Sequence, residues 1–289
     1  MSIIVPATSG HLGRLVVDDL LRRGVPASEI VAGARRPETI AGLADAGVRT
    51  ARIDYAEPRT IEDALSAGDT FVLISGPELT GRDELHANAI SAAGRAGAGH
   101  LIYTSMLQAP DSKSGIAQSH AVTEDLIRRS ALPFTILRNG WYTENYELSI
   151  PAVAATGVLM ASVGDARVAS ATRQDYAEAI AVVATTDGHT EATYELSGDE
   201  AWNYDDLAAA LSEVLGRHVA YQPVTDDELR ATLLQGGLPE PVADMLVGFD
   251  ADTRAGALAF RNGDLGRLIG RPTTPLVDGL RPLVPTTAA

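Results

Sequence analysis

The stretch "VPATSGHLG", residues 5–13, joins the apolar run "SIIV" (2–5) to the amphipathic run "LGRLVVDDLLRRG" (12–24). A strand that passes through a small-residue loop into a helix aims the loop's N–H groups and the positive end of the helix dipole at one point, which suits a diphosphate. In the dinucleotide-binding fingerprint the first glycine permits the tight turn, the second admits the phosphates and the third lets helix pack on strand. Gly10 and Gly13 stand in the second and third positions, and Ala7 stands in the first. Alanine serves there if its φ is negative, whereas a left-handed φ costs on the order of 1 kcal/mol. A plain β-to-α turn without a ligand has the same pattern, so the rest of the chain has to decide.

Outward from this loop, "EIVAGAR" (29–35), "VRTARID" (48–54), "TFVLIS" (70–75), "HLIYTS" (100–105) and "PFTILR" (133–138) read as strands, separated by helix-like runs such as "RDELHANAISAAGRAG" (82–97). Apolar strands alternating with helices imply a parallel sheet covered on both faces. The expected fold class is α/β, a doubly wound parallel Rossmann sheet with a smaller C-terminal α/β substrate domain. The expected boundary puts a dinucleotide domain at 1–150 and the substrate side at 151–289, with a strand near 193–197 returning to the first sheet. In the second part the pattern predicts a helix over "YELSIPAVAATG" (146–157), a hairpin around "VLMASVGDARVAS" (158–170) and a helix over "TRQDYAEAIAVVATT" (172–186). A capped helix over "NYDDLAAALSEVLG" (203–216), a strand at "HVAYQPV" (218–224), a mostly helical remainder and a loose tail, "VPTTAA" (284–289), follow.

The 289 residues are 45% hydrophobic and 21% charged, which excludes wholesale disorder and suits a nucleotide domain with a smaller partner. No apolar run approaches the roughly 20 residues of a membrane span. No leader pattern opens the chain, so a cytoplasmic location is expected. The absence of cysteine excludes disulfides, thiolate nucleophiles and cysteine metal sites. A formal net charge of -15 argues against general affinity for nucleic acid or anionic membranes, while leaving room for a local basic pocket.

In "AGARRPET" (32–39), Arg35 and Arg36 stand where an NAD-selective site carries an acid for the ribose 2′-hydroxyl. A guanidinium there pairs with a 2′-phosphate, so NADPH is favoured over NADH; two solvated arginines opening a loop are the bland alternative. Asp54 and Tyr55 end the third strand, suitably placed for an adenine, and Ser75 and Gly76 end the fourth; ordinary turn chemistry accounts for them equally. Lys113 is the only lysine, and Ala109 stands four residues before it, so a Tyr-x-x-x-Lys proton relay is excluded. A hydride acceptor for this chain therefore needs little enzymatic proton help, as a quinone does. After the fifth strand come Tyr103, Thr104 and Ser105, then His120 and Glu124 four apart on a helix face. That spacing is a metal half-site with no second cluster to complete it, so no metal centre is expected. His120 instead lines the nicotinamide end or merely caps a helix face. His86 sits on a helix that could border the cofactor, and His11 faces solvent. "LRNGWYTENY" (137–146) gathers Trp141, Tyr142 and Tyr146, suited to a flat conjugated ligand or to plain helix-to-sheet packing.

These runs, with "ATSGHLG" (7–13), "VPASEIVAGAR" (25–35), "TYELSGDEAW" (193–202), "GLPEPVADML" (237–246) and "LIGRPTTPL" (268–276), resemble nearly end to end the NmrA-like atypical short-chain dehydrogenases. The resemblance is to type 2 NAD(P)H:quinone oxidoreductases and the related triphenylmethane dye reductases, and "GWYTENY" looks more like the former. It implies a two-domain reductase with NADPH in the first domain and an acceptor between the domains. Carried onto this chain, it puts the phosphate loop on Ala7, Ser9, Gly10, His11, Leu12 and Gly13, and the 2′-phosphate contact on Arg35. The nicotinamide and acceptor surroundings fall on Ser75, Tyr103, Ser105, Asn139, Trp141 and Tyr142. Ala7 departs from the family's usual glycine. The expected partner is a quinone-like small molecule, without nucleic acid or membrane and with homodimerisation left open. Two rivals stand beside this expectation: an NADP(H) redox sensor without turnover, and a reductase of triphenylmethane dyes.

Overall fold

The computed structural model describes residues 1–76, 80–112 and 115–284; Lys113 and all but the first residue of the expected tail at 284–289 lie outside the described residues. In chain order the first elements are β1 (Ile3–Val5), α1 (His11–Arg22), β2 (Ile30–Ala34), α2 (Ala41–Asp45), β3 (Arg49–Arg52), α3 (Pro58–Ala64), β4 (Thr70–Leu73), α4 (Arg82–Ala96), β5 (His100–Met106), α5 (Gly115–Arg129) and β6 (Phe134–Asn139). Then come α6 (Ile150–Thr156), β7 (Val158–Ala161), α7 (Arg173–Thr185), β8 (Ala192–Leu196), α8 (Tyr204–Leu215), β9 (Ala220–Pro223), α9 (Asp226–Gln235), α10 (Glu240–Arg254), α11 (Asp264–Ile269) and α12 (Leu276–Leu280).

Two compact units form. The first takes Met1–Asn139, Arg173–Leu196 and Arg267–Gly270, and its seven strands run parallel in the order β3-β2-β1-β4-β5-β6-β8. The order reverses between β1 and β4, and at such a switch point the strand carboxyl ends open a crevice for ligands. β1, β2 and β4 are buried throughout because helices cover both faces. Ile4, Val31, Phe71, Leu73, Leu101 and Tyr103 belong to one core with Ala89 and Ile90 of α4. β3 departs from the apolar-strand pattern: Arg49 and Arg52 are exposed, and these charges blunt the sheet's edge. β8 extends the sheet beside β6, and α7 packs on α1, where the Gln174 amide donates to the Asp19 carboxylate at 2.6 Å. The expected boundary near 150 falls inside the second unit, and α7, expected on the substrate side, lies in the first.

The second unit takes Gly140–Thr172, Ser197–Gly266 and Arg271–Ala289. The hairpin expected over 158–170 does not form; β7 instead pairs in parallel with β9. The residues after β7 are held elsewhere. The Ser162 N–H donates to Asp250 at 2.7 Å, and Val168 exchanges backbone bonds with Trp202 at 2.8 and 3.1 Å. Val163 and Val168 thereby reach a core with Tyr146, Trp202, Tyr204 and Leu207. The α8 prediction stands: Asn203 and Asp206 form a reciprocal capping box, and Gly216 closes the helix at φ 64°.

Candidate functional site

The β1–α1 loop is folded onto β2. Both the N–H and the hydroxyl of Thr8 donate to the Gly33 carbonyl at 2.9 Å, and Gly10 N–H donates to the Ala7 carbonyl at 2.9 Å. Ala7 adopts φ 55°, so the left-handed conformation is required here and the alternative of an ordinary negative φ does not hold. Gly13 is obligatory for a different reason: a Cβ would lie 2.6 Å from the Ala7 carbonyl oxygen, as α1 passes directly under the loop. Ser9, Gly10 and His11 are exposed and Leu12 is half-buried, at a helix end with no acidic side chain in its first turn. A helix leaves its first N–H groups without intrahelical partners, so this end offers donors to an anion.

At the end of β2, Arg35 and Arg36 are exposed. Gly33 lets Ile53 cross the strand, since a Cβ would meet the Ile53 side chain at 2.5 Å. Past β3, Asp54 is drawn into its own turn by accepting from the Ala56 N–H at 3.0 Å. Tyr55 donates its hydroxyl to the Ile74 carbonyl at 3.0 Å, which ties the β3 and β4 ends together.

The ends of β4 and β5 meet α4 and α5 around the Tyr103 hydroxyl. Tyr103 is fully buried, and its hydroxyl lies 2.8 Å from His120 Nδ1. His86 stacks edge-on against the Tyr103 ring at 5.6 Å and shares a 2.9 Å bond between Nδ1 and the Thr123 hydroxyl. Ser75 N–H donates to the Thr104 hydroxyl at 2.9 Å, while the buried Ser75 Oγ has no hydrogen-bond partner. Burial pushes the Tyr103 pKa well above the usual phenol range, against the opposing pull of the Thr123 hydroxyl, the Arg82 guanidinium and the Ser75 hydroxyl. Burial, aided by Arg82, pushes His120 down to about 3 and His86 down to about 4. Both imidazoles are therefore neutral at pH 7.

Ser105 and Glu124 serve a separate network. The Ser105 hydroxyl donates to the buried Glu124 carboxylate at 2.6 Å, and Arg138 binds the same carboxylate twice, at 2.8 and 2.7 Å. Burial opposes the charge on Glu124, but the Arg138 and Ser105 bonds outweigh it and keep the pKa low. Arg138 also pairs with Glu195 at 2.5 Å. Thus His120 and Glu124 share a helix yet are committed to different partners, which removes the metal half-site reading.

Asn139 ends β6 with its side chain buried and its carbonyl accepting from Leu107 N–H at 2.9 Å. In the second unit Trp141 meets Phe249 edge-on at 5.4 Å, and Tyr142 bridges to Ala171. Gly76 is half-buried just past β4. The structure therefore brings Ser75, Tyr103 and His120 into one cluster and turns Ser105 away from it. Sequence reasoning missed Arg82 and Thr123, although the spacing of Arg82 and His86, four apart at the start of α4, was a readable signal.

A parallel sheet with a switch point, entered through a glycine-spaced loop onto a helix N-terminus, defines the class as a dinucleotide-binding α/β protein. The chain belongs to the NAD(P)H-binding family, whose model matches residues 8–187. It is 40% identical over 278 residues to quinone oxidoreductase 2 of Escherichia coli (strain K12), spanning 96% of this chain and 97% of that protein. Among solved structures, the NADPH-dependent quinone oxidoreductase from Escherichia coli complexed with NADPH matches with a TM-score of 0.92 at 40% identity, over 97% of this chain and 99% of that one. The Citrobacter sp. triphenylmethane reductase complexed with NADP(H) matches with a TM-score of 0.93 at 36% identity, over 98% of this chain and all of that one. No helix among the described residues is long and apolar enough to cross a membrane.

Proposed function

We propose that this chain is an NADPH-dependent reductase that delivers hydride to quinones and similar planar conjugated acceptors. The observation that carries the reading is the end-to-end match, at 40% identity, to a quinone oxidoreductase. The cofactor fits the residues present: Gly13 keeps the loop close to α1, and the buried Ser75 Oγ lacks a partner at the carboxyl end of β4. Ser9, Gly10, His11, Leu12 and Gly13 cradle the diphosphate around the Ala7 turn. Arg35 takes the 2′-phosphate, Asp54 and Tyr55 border the adenine, and Ser75 and Gly76 border the nicotinamide. In the first unit Tyr103, His120 and Asn139 border the acceptor, and Ser105 supports them by holding Glu124.

When bound, the dihydronicotinamide supplies two electrons as hydride. The chain's own contribution is to orient acceptor against cofactor and to keep water from the reacting face. It supplies no acid: His120 is neutral at pH 7 and the Tyr103 hydroxyl holds its proton far too tightly. The reduced quinone takes its proton from solvent. Triphenylmethane dyes are a second acceptor class, favoured by the 0.93 match to the triphenylmethane reductase.

The test is product analysis under anaerobic conditions with limiting NADPH and excess quinone. One hydroquinone per NADPH supports the reading. NADPH that binds tightly but is never consumed, with quinones or dyes, replaces it with the sensor.

A further inference from the structure

Arg82 opens α4 and is only 7% exposed. Its Nε has no hydrogen-bond partner, and among the described residues no carboxylate lies within ion-pair distance of the guanidinium. A buried cation left in this state is costly, and proteins that keep one normally neutralise it with a ligand or a partner charge. Among the described residues, the acids of this cluster make their hydrogen bonds to other groups. Asp83 accepts from the Ser119 hydroxyl, and Glu124 is held by Arg138, Arg128 and Ser105.

The surroundings of Arg82 are equally specific. One turn further along α4, His86 Nδ1 shares a 2.9 Å bond with the hydroxyl of Thr123 on α5, which also reaches the Ser119 carbonyl at 3.1 Å. His86 is 1% exposed, and its Nε2 too lacks a partner. Arg82 and His86 on α4 and Ser75 after β4 thus leave three buried polar atoms unsatisfied around the Tyr103–His120 pair. With both imidazoles neutral at pH 7, the positive charge of this cluster is that of Arg82.

We propose that Arg82, with the Ser75 hydroxyl on the same Tyr103 cluster, is an anion subsite that takes the aryl oxyanion formed when hydride reaches the acceptor. The inference rests on the proposed quinone reduction and deepens it. Hydride addition converts a neutral quinone into a hydroquinone anion; nothing else is gained or lost until solvent supplies the proton. A guanidinium that is buried and has no ion-pair partner among the described residues favours that anion over the neutral quinone, which is the differential interaction that speeds a reaction. The same oxyanion chemistry could come from a cofactor phosphate, and the experiment separates the two sources.

The probe is 4-nitrophenol, added with no reduced cofactor present so that no hydride donor is available; its absorbance changes on ionisation. The wild-type protein is expected to lower the apparent pKa of the bound phenol and bind its anion about tenfold tighter than Arg82→Gln does. Arg82→Lys restores most of the effect, and NADPH affinity by fluorescence titration stays within about twofold in all three proteins. Equal phenolate binding by wild type and Arg82→Gln, with native circular dichroism in both, overturns the proposal. Loss of NADPH affinity with phenolate binding intact overturns it too, assigning Arg82 to the cofactor. Because this binding needs no turnover, it succeeds or fails independently of whether wild-type protein reduces a quinone.

Discussion

Ala7 bends the phosphate loop at φ 55°, a conformation in which its methyl group is crowded against the backbone. Replacing it with glycine removes that strain at the position whose geometry asks for none. Ala7→Gly is expected to raise unfolding stability by about 0.5–1 kcal/mol in urea titrations, and an unchanged or lower midpoint contradicts the strained-loop account. The two buried histidines act on stability in the opposite sense, through pH. His86 and His120 have folded pKa values near 4 and 3, below the 6.5 of the free ring, so the unfolded chain binds more protons between those values and stability falls as pH drops below 6.5. By pH 5 each ring is expected to have cost about 2 kcal/mol relative to its contribution at pH 7. The double variant His86→Gln, His120→Gln should flatten that slope in denaturant titrations at pH 5 and 7; an equal slope in both proteins sinks the assignment.

At the scale of elements, one carboxylate joins α5 to β5 and β6. Glu124 accepts from Ser105 on β5 and from Arg138 on β6, and Arg138 reaches on to Glu195 on β8. Removing one member of a buried network strands its partners' charge, which costs more than the pair itself contributes. Arg138→Met is therefore expected to lower stability by about 3 kcal/mol in chemical denaturation, and a change within about 0.5 kcal/mol contradicts the view that this network anchors α5. The elements themselves were legible to different degrees. α8 was readable because Asn203 and Gly216 supply local cap chemistry at both ends. The β7–β9 pairing was not, because a parallel partner about 60 residues away leaves no mark on the segment, whereas apolar residues on both sides of Gly164 imitate a hairpin.

For the whole molecule, the doubly wound parallel sheet was legible in strands and helices alternating as far as β6, and the return of β8 was readable in "ATYELSG". The division into units was harder, since α7 rejoins the first unit through packing on α1 that no local pattern announces. Of the candidate site, the glycine spacing, Arg35 and the missing lysine were visible as residue types at fixed positions. Tyr103, His86 and His120 were each visible as candidates, but their meeting with Arg82 was not, because the burial and unsatisfied atoms that join the four belong to the folded chain. The most direct measurement is the initial rate of dihydronicotinamide oxidation, followed by its absorbance, with and without a simple quinone, for NADPH and NADH at matched concentration. Oxidation that requires the quinone and is faster with NADPH is the predicted result. NADPH oxidation that ignores the quinone, or that is absent altogether, would contradict the account.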